Sequence, residues 1–232
     1  MCGRFRLARS KQILEEHFGA EMEGAWEPRY NVAPAQPVVA VRQHATEPRR
    51  WAAALRWGLV PSWASDPSVG YKMINARAET VAERPAFGEA LLRRRCLIAA
   101  DGFYEWKKQG RAKLPYCFTL ADGGVFAFAG LWDRWRSPEG QTVESCTILT
   151  TAANELVAPV HERMPVILPP DAYELWLDPG MQRAEAVREM LRPFAGPMRA
   201  YEVSTRVNAV QNDDAACAEP VERRPAGLPL FD

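Results

Sequence analysis

Apolar residues recur at helical spacing in four segments of the chain. The clearest segment begins at Ser10, a favourable N-cap residue, and ends at Gly19, a common stop residue. The apolar residues that share one helical face between them are Ile13, Leu14 and Phe18. This pattern predicts a short first helix. We predict three further helices, over residues 87–95, 171–177 and 184–191.

Shorter apolar runs, many of them alternating with polar residues, predict strands in the rest of the chain. The predicted strands cover residues 38–42, 52–57, 96–100, 103–107, 116–121, 125–129, 143–151 and 201–205. Turn-forming residues at 109–110 and 122–124 indicate that neighbouring strands pair antiparallel. Residues 58–70 are rich in Pro, Ser and Gly and predict a long surface loop. Strands joined by hairpins, with helices outside them, predict an α+β fold around a curved antiparallel sheet.

Length and composition are typical of a globular protein with a full core. The chain has 232 residues, of which 47% are hydrophobic and 25% charged. It contains no run of about 18 apolar residues that could cross a membrane, and its first charges are not followed by the apolar segment of a secretory signal. We therefore expect a protein without membrane contact.

The numbers and spacing of the cysteines and histidines argue against a protein stabilised by disulfides and against a metal-binding protein. Five cysteines lie far apart with no CxxC pair, an odd number that fits a disulfide framework poorly. We therefore expect a reducing, cytoplasmic compartment. The three histidines show no metal-ligand spacing either, so we expect no metal and no other cofactor.

The formal net charge of zero hides an asymmetry along the chain. Residues 1–116 carry 19 basic and 12 acidic residues, whereas residues 117–232 carry 10 and 17. The basic residues are 24 Arg and only 5 Lys, and the planar guanidinium matches phosphate oxygens and stacks on flat rings. A basic half containing several Trp is consistent with a nucleic-acid surface. The alternative is a single domain with mixed surface charge.

Cys2 is the first candidate for chemistry, because removal of Met1 would leave a free α-amine beside a thiol. An α-amine has a pKa of about 7.7–8.0, against about 10.4 for a lysine, so far more of it is unprotonated at neutral pH. An aldehyde would form an imine with this amine, and the thiol could then close a thiazolidine ring. The alternative is a cysteine with no chemical role.

Glu105 and His161 are candidates for proton transfer. Strand alternation puts Glu105 on the face of Phe103, and a carboxyl group among aromatic rings has its pKa raised by desolvation. The alternative for Glu105 is an exposed glutamate on an edge strand. His161 precedes an apolar run, where a polar side chain can face a cleft, and histidine is well suited to move protons near neutral pH. A structural histidine is the alternative.

Asn75 and Arg77 lie together in the segment MINARAET. Asn75 is either the N-cap of a short helix beginning at Ala76 or an amide that holds the Cys2 amine. Arg77 could reach a phosphate, or it is a solvated surface charge.

Six segments, taken together and in order, resemble one known family. They are MCGRF (1–5), YNVAP (30–34), RWGLVPSW (56–63), INARAET (74–80), RRCLIAADGFYEWKK (94–108) and HERMPVIL (161–168). The chain is similar to the SOS-response-associated peptidase family over residues 2 to about 220. The resemblance implies a barrel-like core of curved antiparallel sheets with peripheral helices. It also implies a single domain over residues 1–220, followed by a flexible tail over 221–232.

The family's members are known as abasic-site sensors that crosslink themselves to single-stranded DNA, and the resemblance implies roles for matching residues. Cys2 would be the crosslinking nucleophile, Asn75 would orient its amine, and Glu105 and His161 would move protons. The residues expected to contact DNA are Arg4, Trp63, Arg77 and Arg163, and Thr150 is expected near them by similarity only.

The resemblance implies a thiazolidine crosslink that shields the abasic site from strand cleavage. It also implies removal of Met1, by the protein itself or by a host aminopeptidase, and thus a thiol-dependent autopeptidase of the hydrolase or lyase class. Two alternatives remain open. One is a cysteine peptidase that acts on other proteins through Cys2, His161 and Asn75. The other is a noncovalent binder of single-stranded DNA.

Overall fold

A computed structural model describes residues 2–44, 47 and 49–221. The strands are β1 (Phe5–Leu7), β2 (Ala20–Met22), β3 (Arg29–Val32), β4 (Pro37–Gln43), β5 (Arg50–Trp57), β6 (Asn75–Arg77), β7 (Arg95–Ala100), β8 (Gly102–Gln109), β9 (Ala112–Leu120), β10 (Phe126–Arg136), β11 (Thr142–Ala152), β12 (Arg163–Pro165), β13 (Ile167–Leu168) and β14 (Met198–Glu202). The helices are α1 (Lys11–Phe18), α2 (Gly88–Arg93), α3 (Tyr173–Leu177) and α4 (Ala184–Glu189).

Five long strands close into a barrel in the order β5-β4-β7-β10-β11. The barrel closes where β11 pairs with β5 in parallel, at Ser145 opposite Arg56. All six residues of β7 are buried, because Leu97 and Ala99 pack against one apolar cluster while Cys96, Ile98 and Ala100 pack against another. A strand covered on both faces reads as a continuous apolar run, which is why the sequence predicted it well.

A second sheet, in the order β14-β9-β8-β1-β3, packs against the barrel. Its contact with the barrel is aromatic: the ring of Phe5 lies edge-on to Phe128, with 5.6 Å between the centroids, and Phe103 lies edge-on to the same ring at 6.2 Å. Cys2 belongs to the same buried cluster as these rings. The start of the chain is therefore held between the barrel and the second sheet.

Local signals account for α1, whereas tertiary contacts shorten α2. The Ser10 hydroxyl accepts a hydrogen bond from the amide of Ile13, and Gly19 has the positive φ of +56° that a glycine adopts readily. The prediction of a helix through residue 95 was wrong. Arg95 is buried and donates to carbonyls at the ends of α2 and α3, so its backbone already belongs to β7.

The α+β class with a barrel-like core and outer helices is confirmed, but the pairing is not wholly antiparallel. β2 and β6 pair in parallel with β5 and β11, as does β5 with β11. The interpretation of Asn75 as a helix N-cap was wrong, since it begins the three-residue strand β6. None of the helices in the described part of the chain is long and apolar enough to cross a membrane.

The chain remains folded against the body of the protein as far as Val221. The amide of Val221 donates to the carbonyl of Glu202, and Cys217 is fully buried. Of the tail that we predicted over 221–232, residues 222–232 lie outside the described residues.

Candidate functional site

Cys2 and Asn75 meet at the junction of the barrel and the second sheet. The Asn75 side-chain nitrogen donates a 2.7 Å hydrogen bond to the backbone carbonyl of Cys2. β6 is positioned by its parallel pairing with β11, in which Asn75 lies opposite Ile148, and by Trp57, whose indole donates to the carbonyl of Ile74. Asn75 therefore contacts Cys2 through the backbone carbonyl of that cysteine, and the predicted contact with the α-amine stays a prediction.

The hydrogen bond to Cys2 also fixes which way the Asn75 amide points. A carbonyl accepts only from a donor, so the NH₂ group faces Cys2 and the Oδ1 atom faces away. That oxygen is buried and has no hydrogen-bond partner among the described residues. Because an unpaired buried acceptor is costly, Asn75 is prepared to accept a hydrogen bond from an N–H group that enters the site.

Glu105 lies on β8, in the interior of the second sheet between β9 and β1, and is only 4% exposed. The alternative of an exposed edge-strand glutamate was therefore wrong. Burial raises the pKa of Glu105, and the neighbouring His161 partly opposes this shift. The carboxyl group keeps its proton to higher pH than an ordinary glutamate, as a proton donor requires.

Burial, and to a smaller extent the nearby charge of Glu105, raises the pKa of the Cys2 thiol far above its usual range. The side chain is fully buried, and its sulfur lies 3.9 Å from the carbonyl of Arg4. Met1 precedes Cys2 in the sequence, so the α-amine of Cys2 is free only once Met1 has been removed. Cys2 is thus a neutral, enclosed thiol before Met1 is lost.

His161 is held by the backbone two residues ahead of it. Its Nδ1 lies 3.0 Å from the amide nitrogen of Arg163 and 3.2 Å from the carbonyl of the same residue. When Nδ1 accepts from the amide, the neutral ring carries its proton on Nε2. This tautomer leaves an N–H on the other side of the ring.

A cleft of about 460 Å³ reaches Glu105 and His161 from the surface, whereas Cys2 and Asn75 are not part of its lining. It is lined by Arg4, Glu105, Trp106, Lys108, Lys113, His161 and Asn208. A larger cavity of about 860 Å³ lies against α3, with Asp171, Glu174 and Asp178 in its wall, and includes none of the predicted site residues. The smaller cleft is the one that contains predicted site residues, namely Arg4, Glu105 and His161.

Arg4 is fixed in the wall of this cleft. Its Nη1 atom donates to the side-chain oxygen of Asn31 and to the carbonyl of Val207, both at 2.7 Å. Its guanidinium lies 5.8 Å from the centre of the Trp106 ring, and burial lowers its pKa from the ordinary value. Arg4, which we predicted to contact a phosphate, is therefore held in a fixed position at the cleft.

Arg77 and Arg163 differ in the freedom of their side chains. Arg77 is exposed at the end of β6. Arg163 instead forms a two-pronged pair with Glu79, at 3.0 Å for each N–O contact, and also donates to the carbonyl and hydroxyl of Thr150. Thr150 is fully buried, and its link to the surface is the pair of hydrogen bonds that it accepts from Arg163.

Trp63 is 65% exposed, on a loop whose base is firmly held. The amide of Val60 donates to the Ser145 hydroxyl, and the amide of Ser62 donates to the Asp133 carboxylate. Trp135 adds a hydrogen bond from its indole to the carbonyl of Ala64. The ring of Trp63 is thus presented to solvent by a fixed backbone, as a stacking role would require.

Sequence reasoning did not assign roles to four residues of the cleft and to one that supports it. The four are Trp106, Lys108, Lys113 and Asn208, and the fifth is Asn31, which fixes Arg4. Lys108 follows Glu105 by three residues in FYEWKK, and strand alternation places an odd spacing on opposite faces, so no local signal assigned it to the cleft. Asn208 and Lys113 carry no local signal either, because only the tertiary fold brings them to the cleft.

The cysteines and acidic residues do not form a metal site in the part of the chain that the structure describes. Cys2, Cys96, Cys117, Cys146 and Cys217 are all free and buried. No three His, Cys, Asp or Glu side chains among the described residues lie close enough together to hold a metal ion.

Known proteins are similar in sequence to nearly the whole chain. A family model described as SOS response associated peptidase (SRAP) matches residues 1–210. The chain is 42% identical over 224 residues to the abasic site processing protein YoqW of Bacillus subtilis, covering 94% of this chain and 99% of that protein. It is 35% identical over 230 residues to the abasic site processing protein HMCES of Gallus gallus, covering 86% and 68%.

Solved structures show the same fold. A protein from Bacteroides thetaiotaomicron superposes with a TM-score of 0.85 at 25% identity, covering 95% of this chain and all of the other. A protein from Bordetella bronchiseptica superposes with a TM-score of 0.75 at 30% identity, covering 88% of this chain and all of the other.

Proposed function

The chain belongs to the SOS response associated peptidase family, and on that premise we propose that it senses abasic sites in single-stranded DNA and captures them covalently through Cys2. The observation that carries the proposal is the hydrogen bond from Asn75 to Cys2, whose thiol lies near enough to Glu105 to interact with its charge, while Glu105 and His161 line a positively charged cleft. Relatives named abasic site processing proteins support the choice of DNA lesion.

The proposed reaction joins an aldehyde to the two neighbouring groups of the mature N-terminus. Once Met1 is removed, the α-amine of Cys2 attacks the C1′ aldehyde of the opened deoxyribose and forms a carbinolamine. Loss of one water gives an imine, and the thiol then adds to the imine carbon. The thiol proton passes to the ring nitrogen, so the thiazolidine forms with one water as the only by-product.

The side chains around Cys2 support these proton transfers. Asn75 has a free Oδ1 that can accept from the new α-amine and hold its lone pair toward the aldehyde. Glu105, whose pKa is raised by burial, can protonate the departing hydroxyl. We assign the opening of the closed sugar to His161, whose ring faces the same cleft.

The positive charge of the cleft supports a nucleic-acid strand as the ligand. Arg4 lies in the cleft wall, and Arg77 is exposed at the end of the strand that carries Asn75. We propose that both contact phosphates, that Arg163 does so after leaving Glu79, and that Trp63 stacks on a base. An unpaired strand is proposed because the reacting deoxyribose must enter the cleft without a partner strand.

Capture by amine and thiol together would protect the strand. An imine that is not trapped acidifies the neighbouring C2′ position, and β-elimination then breaks the strand. Ring closure by the Cys2 thiol removes the imine before that step. The proposed function is therefore a protective crosslink rather than strand cleavage.

The class of enzyme is also part of this proposal. Self-removal of Met1 would make the protein a thiol-dependent autopeptidase. Cysteine peptidases lower the pKa of their nucleophile, whereas burial raises that of Cys2, which weighs against cleavage of other proteins and against self-removal of Met1 alike. We further propose that residues 1–220 form one domain. Because all five cysteines are free, we also propose that the protein works in a reducing cytoplasm, in association with DNA.

The test is a denaturing gel of mature protein mixed with a single-stranded oligonucleotide that carries one abasic site. We expect a heat-stable shifted band that is absent with intact DNA. Cys2→Ala, and a form that retains Met1, should both lack the band. A wild-type protein that shifts only a native gel would contradict covalent capture and favour noncovalent binding.

A further inference from the structure

Lys108 and Lys113 lie directly opposite each other on the paired strands β8 and β9. Directly opposed residues of an antiparallel pair point to the same face, with about 4.5–5.5 Å between their Cβ atoms. Both side chains are exposed, and both line the cleft that contains Glu105 and His161. Two ammonium groups are therefore close together at the entrance of the candidate site.

This placement is unfavourable unless an anion is bound. Like charges directly opposite each other destabilise a strand pair. Within the described part of the chain, no carboxylate forms an ion pair with either lysine, and Arg111 at the turn adds a third positive charge. The hairpin thus carries a repulsion that the protein itself does not neutralise.

The composition of the chain strengthens the point. Only five lysines occur in 232 residues, and three of them, Lys107, Lys108 and Lys113, lie on this one hairpin. Lys107 is opposite Leu114 and does not line the cleft. The hairpin therefore has two lysines that line the cleft and one lysine that does not.

We propose that Lys108 and Lys113 together hold one backbone phosphate of the DNA strand, next to the nucleotide that reacts with Cys2. This inference rests on the proposed function. It adds a contact with the DNA strand at the end of the cleft where the β8–β9 hairpin lies. Trp106 and Asn208 form the wall beside the pair, joined by a 2.7 Å hydrogen bond from the indole to the amide oxygen. The phosphate would lie beside this fixed wall, where the two ammonium groups neutralise it.

The test measures equilibrium binding in a Cys2→Ala background, so that crosslinking does not contribute. The ligand is a single-stranded oligonucleotide with one tetrahydrofuran site, titrated at a series of KCl concentrations. The slope of log K against log salt is negative, and for a single strand its magnitude falls by about 0.7 for each phosphate that the protein no longer neutralises. We expect that loss for the double variant Lys108→Gln/Lys113→Gln, and a smaller one for each single variant, because the remaining lysine still contacts the shared phosphate.

Lys107→Gln is the matched control, with the same charge change on the same hairpin. Its slope should stay that of the parent protein. The double variant should also unfold at the same temperature as the parent or a higher one, because it removes a repulsion. An equal effect of Lys107→Gln, or a lower unfolding temperature of the double variant, would overturn the proposal.

A chemical scan of the DNA identifies the phosphate. Uncharged methylphosphonates replace the phosphodiesters one at a time on either side of the tetrahydrofuran site. One position should weaken binding to the parent protein and have no effect on the double variant. If no position behaves in this way, the lysine pair holds no particular phosphate. Failure of wild-type crosslinking would instead contradict the proposed function, since these measurements use protein that cannot crosslink.

Discussion

The side-chain amide of Asn75 donates to the backbone carbonyl of Cys2 at 2.7 Å and leaves its own oxygen unpaired in a buried position. Asn75 lies on a three-residue strand, and Cys2 precedes the first strand of the other sheet. One hydrogen bond thus ties the future N-terminus to the barrel. The bond also leaves the buried oxygen of Asn75 free to accept a hydrogen bond from another donor.

Asn75→Asp is predicted to slow crosslinking by about 10- to 100-fold, as loss of correct positioning does in other active sites. The carboxylate cannot donate to the Cys2 carbonyl, and the two oxygens repel each other. The single-turnover rate at saturating abasic DNA measures this effect. Asn154→Asp, which changes an amide whose partners include the Phe194 carbonyl, is the control for loss of a structural amide. A rate for Asn75→Asp equal to that of the wild type would remove Asn75 from the mechanism.

Glu105→Gln is predicted to slow crosslinking and to stabilise the protein at neutral pH. The pKa of Glu105 is raised by burial, so folding favours its protonated form, which Gln imitates. Wild-type stability from this group is complete below the ordinary pKa of 4.5 and is lost as pH rises through the higher folded value. The unfolding temperature of Glu105→Gln at pH 7 should therefore exceed the wild-type value by about 2–4 °C, or about 1 kcal/mol for a domain of this size.

The same comparison at pH 4 is the control, because the carboxyl group is then mostly protonated in both the folded and unfolded states. The advantage of Glu105→Gln should largely disappear there. A constant difference at both pH values would show that the substitution acts through packing and not through ionisation.

Glu79→Gln is predicted to strengthen binding of single-stranded DNA. Glu79 is half exposed and occupies the guanidinium of Arg163 with two contacts of 3.0 Å. A phosphate must compete with this carboxylate, whereas Gln keeps one acceptor and removes the charge. Fluorescence anisotropy should show a Kd lower by about two- to fivefold, consistent with the usual energy of an exposed ion pair. Weaker binding would mean that Glu79 orients Arg163 for DNA rather than competing with it.

Several parts of this fold follow from local sequence, and α1 is the clearest. Its cap at Ser10 and its stop at Gly19 act within one turn of the helix, so no distant contact is needed to place its ends. β6 could not be predicted in the same way, because a strand of three residues has no periodicity of its own. It exists because Asn75 and its neighbours pair with β11, more than 70 residues further along the chain.

The candidate site was predicted in its chemistry more than in its geometry. Cys2 and Asn75 were proposed together, and they do form a hydrogen bond. The burial of Glu105 depends on two strands that pair on either side of β8, and a single strand cannot reveal its neighbours. For the same reason the pair of Arg163 with Glu79 was not expected, since 84 residues separate them.

Asn31→Ala is predicted to destabilise the protein by about 2–4 kcal/mol, because several buried hydrogen bonds are removed at once. The Asn31 amide is fully buried, donates to carbonyls of residues 207, 209 and 212, and accepts from Arg4. Chemical denaturation measures the free energy of unfolding, and DNA affinity should fall as well because Arg4 loses its support. Unchanged stability would mean that the C-terminal segment is held by other interactions, such as those of Asp213.

The most direct test of covalent capture is the intact mass of the adduct between mature protein and an abasic oligonucleotide, followed by mapping of the modified peptide. We predict a mass equal to the sum of the two molecules less one water, with the DNA attached to the peptide that begins at Cys2. An adduct on any other residue, or a cleaved oligonucleotide in place of an adduct, would contradict covalent capture through Cys2.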